Sequence, residues 1–474
     1  MFRSWVSLVL ALLSCGAALP ASAEVILHAF EWKYTDIKQN AQAIADAGYR
    51  SVLVAPPLKS ERSPECPWFK RYQPQDFRVI DNCAGNKEEF VAMIQALKDK
   101  KIRVYADIVV NHMANERNNA TSFPGEEVLS EYHSNQDYWN KQKLYGDLSK
   151  GLFSSWDFHD EFCILDYSKP DSVVKGRICG KSTDRGLPDL RDTVPDQNWV
   201  LDQRKQYIKA LFDLGVRGFR LDAAKHMPVG AIRYFVPDEI ANNAHVFAET
   251  ITWGGTNDQE YNLYLKPYLQ NLPASFGAYD FPLLNAMKRA FSLGARLSDI
   301  ADPYSTGNAL EPRRAVTVVV THDIPYNSDF RSMIFDPKDE ELAYAYILGR
   351  DGGTPMVFDD GSSTKVNDGR WVGAWQNDRL KKMISFHNRM QGKRMDVLEN
   401  DECILLWRRE EDGIVGINKC GFDRDVPVNT HGKFRWNRTY RDSLDAANTV
   451  RITSGNFTFN LPGRNARLWY VEDE

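Results

Sequence analysis

Short runs of β-branched and aromatic residues alternate along this chain with stretches whose apolar positions recur every three or four residues. Residues 25–30, 51–55, 102–107, 216–222, 245–249 and 315–320 are runs rich in Val, Ile, Leu or Phe, each of a length that a buried strand uses. Between them lie amphipathic patterns. Residues 88–98 place Phe90, Met93, Ile94 and Leu97 on one helical face, and residues 203–214 lead into the fourth run. Strands separated by helices predict parallel β/α units. Two weaker candidates, Phe276–Tyr279 and 355–358, raise the strand count to eight, which suits a closed (β/α)8 barrel better than a doubly wound sheet.

The rhythm breaks twice. Between His112 and the helix before Val216 lie roughly 85 residues, where a strand-to-strand crossover needs about a dozen. That stretch is polar and aromatic and shows no long periodic helix, so it reads as a small domain inserted after the third strand. Near the end of the chain the pattern turns to period two: residues 403–407, 414–418, 450–452, 457–461 and 466–471 are alternating strands separated by turns, the mark of an antiparallel β domain. The predicted organisation is α/β: a (β/α)8 TIM barrel at 24–112 and 188–388, an inserted small domain at 113–187, and a C-terminal antiparallel β-sandwich at 389–474.

Composition refines this picture. With 474 residues, 43% hydrophobic and 26% charged composition and a formal charge of −5, the chain suits a soluble globular fold with a large core and argues against polyanionic partners such as nucleic acid. Residues 1–23 stand apart. Arg3, an apolar core at 6–13 and Ala21-Ser22-Ala23 form a secretory signal pattern, so cleavage near Ala23 and export are expected. The apolar run is shorter than the roughly 20 residues that span a bilayer, so no membrane anchor is expected; Leu12-Leu13-Ser14-Cys15 is only a loose lipidation pattern. Without Cys15 the cysteines are Cys66, Cys83, Cys163, Cys179, Cys403 and Cys420, three sequence-local couples that agree with export. Neighbour pairing is one of many connectivities that six cysteines allow.

In a β/α barrel, catalytic groups sit where strands end at the C-terminal face. The third run leads into Asp107-Ile108-Val109-Val110-Asn111-His112, the fourth ends in Arg220-Leu221-Asp222, the fifth in Glu249, and the seventh leads into His322-Asp323. Asp222, Glu249 and Asp323 would converge with two histidines on one cleft. Arg220 and Asp222 are two apart and share a strand face, and a guanidinium beside a carboxylate favours the ionised form that a nucleophile requires. Glu249, arriving beside like charges, is expected to keep its proton as a general acid. Two carboxyls in opposite protonation states across one bond describe glycoside hydrolysis. Any one of these acids alone reads equally as a structural ion pair, and His112 or His322 alone as a structural hydrogen-bonding group; the full set favours chemistry.

Residues 107–112, Leu187-Pro188-Asp189-Leu190, and residues 218–226, 247–251 and 319–323 resemble, in this order, the sequence signatures of the α-amylase family of retaining glycoside hydrolases. Pro67-Trp68-Phe69-Lys70-Arg71-Tyr72-Gln73-Pro74 is similar to a substrate-site segment of animal-type and some bacterial members. The resemblance implies endo-hydrolysis of α-1,4-glucosidic bonds in starch or glycogen, with Asp222 as nucleophile, Glu249 as general acid/base and Asp323 as the carboxylate that stabilises the transition state. Arg220, His112 and His322 would hold the nucleophile and the sugar, Tyr72 would lie under that sugar ring, and Trp68 and Phe69, with Gln73 in the same segment, would contact neighbouring glucose units. Lys225 and His226 would serve the leaving-group side.

The same likeness implies a structural Ca2+ bound by Asn111, Asp189 and the backbone carbonyls of Arg177 and His226, all oxygen donors as a hard cation needs. Members that use chloride carry an Asn and a basic residue where this chain has Thr321 and Pro355, so chloride activation is not expected. The expected partner is an α-1,4-glucan met by a secreted monomer, with neither nucleic acid nor membrane involved.

Rival readings differ in what they require. A transglycosylase or maltogenic enzyme shares the motifs and separates only by its products. Cleavage of α-1,6 bonds is disfavoured, because family members that perform it usually carry Gln at the start of the segment that here reads Leu187-Pro188-Asp189-Leu190. A non-catalytic glucan-binding protein on the same fold would typically lack one of the three carboxylates. A zinc hydrolase built on His112, His226 and His322 lacks HExxH spacing. Asn119-Ala120-Thr121, Asn437-Arg438-Thr439 and Asn456-Phe457-Thr458 are glycosylation acceptors in a host that modifies them.

Overall fold

Eight strands, β1 (Ile26–Phe30), β2 (Ser51–Val54), β3 (Arg103–Ile108), β4 (Gly218–Leu221), β5 (His245–Ala248), β6 (Phe276–Tyr279), β7 (Ala315–Val318) and β8 (Thr354–Asp360), close into a parallel barrel. Each pairs with the next in sequence, and β8 returns to β1. This is a computed structural model, and it describes residues 24–116, 121–180, 184–192, 198–361, 366–453 and 455–472. The signal reading of residues 1–23 and Asn119 of the first glycosylation motif lie outside the described residues. Among the described residues no helix is long and apolar enough to cross a membrane.

The barrel strands are enclosed by core on one face and helices on the other, which is why they read as nearly continuous apolar runs. The weakest of them, β6, contains Gly277 for a steric reason: a Cβ there would meet the Arg314 carbonyl oxygen at 2.6 Å. Among the outer helices, Lys87–Asp99 buries Phe90, Met93, Ile94 and Leu97 and starts at a reciprocal cap, Asn86 accepting from the Glu89 amide at 3.0 Å while Glu89 accepts from the Asn86 amide at 2.9 Å. Trp199–Leu214 begins earlier than its pattern predicted and ends at Gly215, whose φ of 113° suits glycine.

Between β3 and β4 the chain leaves the barrel and forms the short helices Glu126–Ser134, Gln136–Gln142 and Pro170–Lys175. It returns at Asp189, which bridges to His112. The disulfides are Cys66–Cys83, Cys163–Cys179 and Cys403–Cys420, so each of the six cysteines among the described residues pairs with its sequence neighbour.

The C-terminal region holds β9 (Met395–Asn400), β10 (Ile404–Arg409), β11 (Gly413–Asn418), β12 (Arg424–Asn429), β13 (Arg438–Asp442), β14 (Thr449–Ile452), β15 (Asn456–Leu461) and β16 (Asn465–Val471). Six of these form one antiparallel sheet in the order β9-β10-β11-β16-β13-β14, and β12 pairs with β15. Alternation along the strands serves two layers. Ile404, Leu406 and Trp469 pack with Val426, Val428 and Phe459 of the β12–β15 pair, while Leu405, Trp407 and Leu468 join the barrel's core. Sequence patterning overlooks β9, β12 and β13, because β12 contains Pro427 and buries only Val426 and Val428, while β13 buries Tyr440 and Asp442 among charged residues.

Two cations pin this region to the barrel. Arg409 donates to the carbonyls of Gly349 at 2.9 Å, Arg350 at 2.8 Å and Met390 at 2.7 Å, and Lys419 donates to those of Ala290 at 2.7 Å and Ser292 at 2.9 Å.

Candidate active site

Strand β4 turns Phe219 and Leu221 to one side and Arg220 to the other, where the guanidinium is fully buried. Its Nη1 donates to Asp107 Oδ1 at 2.7 Å, to Asp107 Oδ2 at 2.9 Å and to Asp222 Oδ1 at 2.7 Å, and its Nη2 is ion-paired with Glu249. One cation therefore ties together the ends of β3, β4 and β5. Asp107 stands opposite Arg220 in the barrel register. In the sequence Asp107 stands in a strand-end motif with no assigned role, and only the adjacency of β3 and β4, in this register, reveals its partnership with Arg220.

One guanidinium does not neutralise the acids gathered here. Burial pushes the Glu249 carboxyl up to about 8, Arg220 opposes this, and Asp323 and Asp222 add to it. Burial likewise raises Asp107 to about 7 and Asp323 to about 6, again against the pull of Arg220. Burial disfavours the charge on Arg220 itself, but Asp107, Glu249 and Asp222 more than offset it, so its pKa lies well above the ordinary value. After Asp222 the backbone enters the left-handed region at Ala223, φ 50°, an uncommon conformation for a residue with a Cβ. The next amide, of Ala224, donates to the Glu249 carbonyl at 3.1 Å, so this turn joins the two strand ends that carry Asp222 and Glu249.

An aromatic wall flanks the acids. Tyr72 stacks on His322 with centroids 5.0 Å apart and planes 12° from parallel, and its hydroxyl donates to Asp107 Oδ2 at 3.0 Å. His322 in turn stacks on Phe30 at 4.9 Å, and Trp68 lies 5.9 Å from both Tyr72 and His322. Phe69 sits edge-on to Trp68 and is 43% exposed, and Gln73 is half-buried where the Trp68–Tyr72 turn ends. His112 Nε2 lies 3.0 Å from the Tyr72 carbonyl. Burial depresses the pKa of His112, and burial with Arg220 and His28 depresses that of His322 further, so both rings are neutral at ordinary pH. His28 on β1, 5.6 Å from His322, belongs to this wall as well; a single histidine inside an apolar run carries no signal of such a partner.

The remaining candidates lie toward the inserted segment. Asn111 donates to Asp189 Oδ1 at 2.9 Å, and His159 Nδ1 meets Asp189 Oδ2 at 2.7 Å. The Arg177 carbonyl accepts from Ile164 at 3.1 Å. The His226 ring is directed to the Val173 carbonyl at 3.1 Å, so a metal role at this position would fall to its backbone oxygen. Amide, carboxylate and carbonyl oxygens are the donor types a hard cation takes, and Asn111 and Asp189 are both buried, so the residues present fit Ca2+. Lys225 donates to Glu260 at 2.8 Å and lies 4.8 Å from the Tyr167 ring centroid. Among the described residues no group of three or more His, Cys, Asp or Glu is arranged to hold a metal. The structure thus gathers Asp222, Glu249, Asp323, Arg220, His112, His322, Tyr72 and Trp68, with Asp107 and His28 added, and sets Lys225, His226, Arg177, Asn111 and Asp189 against the insertion.

Residues 35–273 match the family model of the alpha-amylase catalytic domain. The chain is 44% identical over 453 residues to an alpha-amylase of Aeromonas hydrophila, an alignment covering 94% of this chain and 96% of that one. The fold is shared with alpha-amylase I of Eisenia fetida, at TM-score 0.73 and 23% identity over 96% of this chain and 98% of that one. It is also shared with a cyclomaltodextrin glucanotransferase of three-domain organisation, at TM-score 0.70 and 20% identity over 92% and 90%. On the family-model match, and on an identity of 44% sustained along nearly the whole of both chains, this protein belongs to the alpha-amylase family of glycoside hydrolases.

Proposed function

We propose that the protein is a secreted alpha-amylase that cleaves internal α-1,4-glucosidic bonds of starch or glycogen with retention of configuration. The observation that carries this is the Arg220 guanidinium shared between Asp222 and Glu249 at a site whose burial keeps the Glu249 proton up to about 8. Asp222 attacks the anomeric carbon as Glu249 protonates the departing glycosidic oxygen, leaving a glycosyl-enzyme; Glu249 then takes a proton from water, which displaces Asp222. Asp323 faces the charge that develops on the sugar ring, and Tyr72, backed by His322, offers that ring a flat apolar surface. Trp68, Phe69 and Gln73 extend the surface to neighbouring units, and Lys225 and His226 belong to the leaving-group side.

Asn111, Asp189 and the carbonyls of Arg177 and His226 would hold a Ca2+ whose charge ties the insertion to the end of β3. The signal pattern of residues 1–23 and the three disulfides support export, with cleavage near Ala23 and action as a monomer. Chloride has no part in this reading. The domain limits are placed at 112/113, 187/188 and 388/389.

Glu249→Gln tests the mechanism: it is expected to lower starch hydrolysis by about 10³-fold, and wild-type rates in that variant would end the proposal. Anomeric analysis of the first products decides retention, since α-anomers are required. Cyclic or transferred products in place of linear hydrolysis products would favour the glucanotransferase alternative that the shared fold leaves open.

A further inference from the structure

The loops that follow β5 and β7 each carry an acid of the site and, further on, an aromatic residue that the mechanism does not use. Trp253 comes four residues after Glu249, and Phe330 seven after Asp323. At their bases the loops meet through the Glu249–Asp323 hydrogen bond. At their tips they meet again, the Trp253 and Phe330 rings stacking with centroids 5.3 Å apart and planes 29° from parallel. Phe330 covers one face of the indole, yet Trp253 remains 44% exposed, so apolar ring surface is left facing solvent on a loop that begins at Glu249.

Both rings are held firmly. The carbonyl of Thr252, just before Trp253, accepts from Asn285 Nδ2 at 2.8 Å. Phe330 lies in the short helical segment Ser328–Met333, whose first turn is capped by Asn327 accepting from the Asp329 amide at 3.0 Å, and Phe330 packs against the barrel core. The loop that carries Trp253 ends at Glu260, the partner of Lys225 at 2.8 Å, so it runs from the proton donor to the leaving-group side. Four residues of extended chain reach at most about 14 Å, which keeps the indole within a few sugar units of Glu249.

We propose that Trp253, supported by Phe330, is a sugar-stacking platform that grips the leaving portion of a long α-glucan and sets the length of the products. A flat, partly desolvated aromatic surface within a short chain's reach of the proton donor fits the apolar face of a glucosyl ring, and a neutral chain suits a surface that offers stacking rather than charge. The inference rests on the amylolytic reading above and adds to it a residue that selects chain length.

The test compares kcat/KM for maltoheptaose with kcat/KM for an aryl maltotrioside, whose leaving group is a single ring too short to reach the platform. Trp253→Ala is expected to lower the ratio of the two by about tenfold, Phe330→Ala to lower it less, and Trp253→Phe to restore most of it. In the Glu249→Gln background, calorimetry is expected to show weaker maltoheptaose binding when Trp253→Ala is added. Trp436→Ala removes an equally exposed indole in the C-terminal region and is expected to keep the wild-type ratio. An unchanged ratio and product pattern in Trp253→Ala, or an equal fall in Trp436→Ala, overturns the platform while leaving the amylase reading intact. A wild-type protein that releases sugar from neither substrate overturns both.

Discussion

Arg220 donates to Asp222 at 2.7 Å from a position two residues earlier in the chain. The same guanidinium reaches Asp107 and Glu249, so its planar fork spans three strand ends, which a single ammonium could not do. Arg220→Met is expected to abolish measurable starch hydrolysis and to cost about 3–5 kcal/mol of stability, because acids gathered round one cation are left without it. The loss should be larger at alkaline than at acid pH, since protonation relieves the acids. Urea unfolding at the two pH values checks this, and an unchanged midpoint would show that the acids do not depend on the cation.

The pH dependence follows from Glu249, whose carboxyl is raised to about 8. A general acid works only when protonated, so kcat/KM is expected to fall as pH rises through about 8. Stability shares this sign. Between the ordinary carboxyl value and the raised one, the folded state keeps a proton that the unfolded chain releases, so the contribution is fully present below the ordinary value and is lost as pH rises through the folded one. Asp107, raised to about 7, and Asp323, raised to about 6, act in the same direction. Thermal midpoints measured from acid to mildly alkaline pH are expected to decline, and to decline less in Glu249→Gln; identical slopes in the two proteins would contradict the assignment.

Calcium dependence tests Asn111 and Asp189 together. Thorough chelation is expected to lower the thermal midpoint, and Ca2+ rather than Mg2+ to restore it; at a hundredfold excess over its Kd the ion would contribute about 2.7 kcal/mol. Asp189→Asn should remove most of the response. If chelation leaves both stability and activity untouched, no structural calcium is bound.

Arg409 satisfies carbonyls at the junction of barrel and β domain, and burial holds its own pKa down to about 10. Arg409→Leu removes one donor from each of the Gly349, Arg350 and Met390 carbonyls, leaving Gly349 to Trp407 Nε1 and Met390 to the Lys393 amide, and is expected to cost about 3 kcal/mol, read from urea unfolding. A loss below about 0.5 kcal/mol would show that water replaces the side chain there.

Much of the site was legible because the barrel puts its chemistry at strand ends. Strand periodicity placed Arg220 and Asp222 on one face. Like charges beside Glu249 pointed to a raised pKa; in the structure burial is the larger cause, and Asp323 and Asp222 only add to it. Asp107, His28 and Trp253 were not given roles, and for a common reason. Asp107 gains its role from lateral register with β4, His28 from the closure of β1 onto β8, and Trp253 from a loop on another strand that brings Phe330 to its face. Strands β12 and β13 were overlooked because a half-exposed strand carrying Pro427 or paired arginines lacks the apolar signal that a buried strand must have.

Apolar periodicity and the order of the polar strand ends, properties of the chain by itself, determined the barrel, the excursion after its third strand, the β domain and the convergence of Asp222, Glu249 and Asp323. The tertiary structure alone decided how charge is shared among them. The arrival of Asp107 and Glu249 at the guanidinium that already holds Asp222, the ring of His322 between Tyr72 and Phe30, and the pairing of Trp253 with Phe330 are contacts between segments tens to hundreds of residues apart. Local pattern records which side of an element a residue faces, whereas the partner it meets depends on how the barrel closes and in what register.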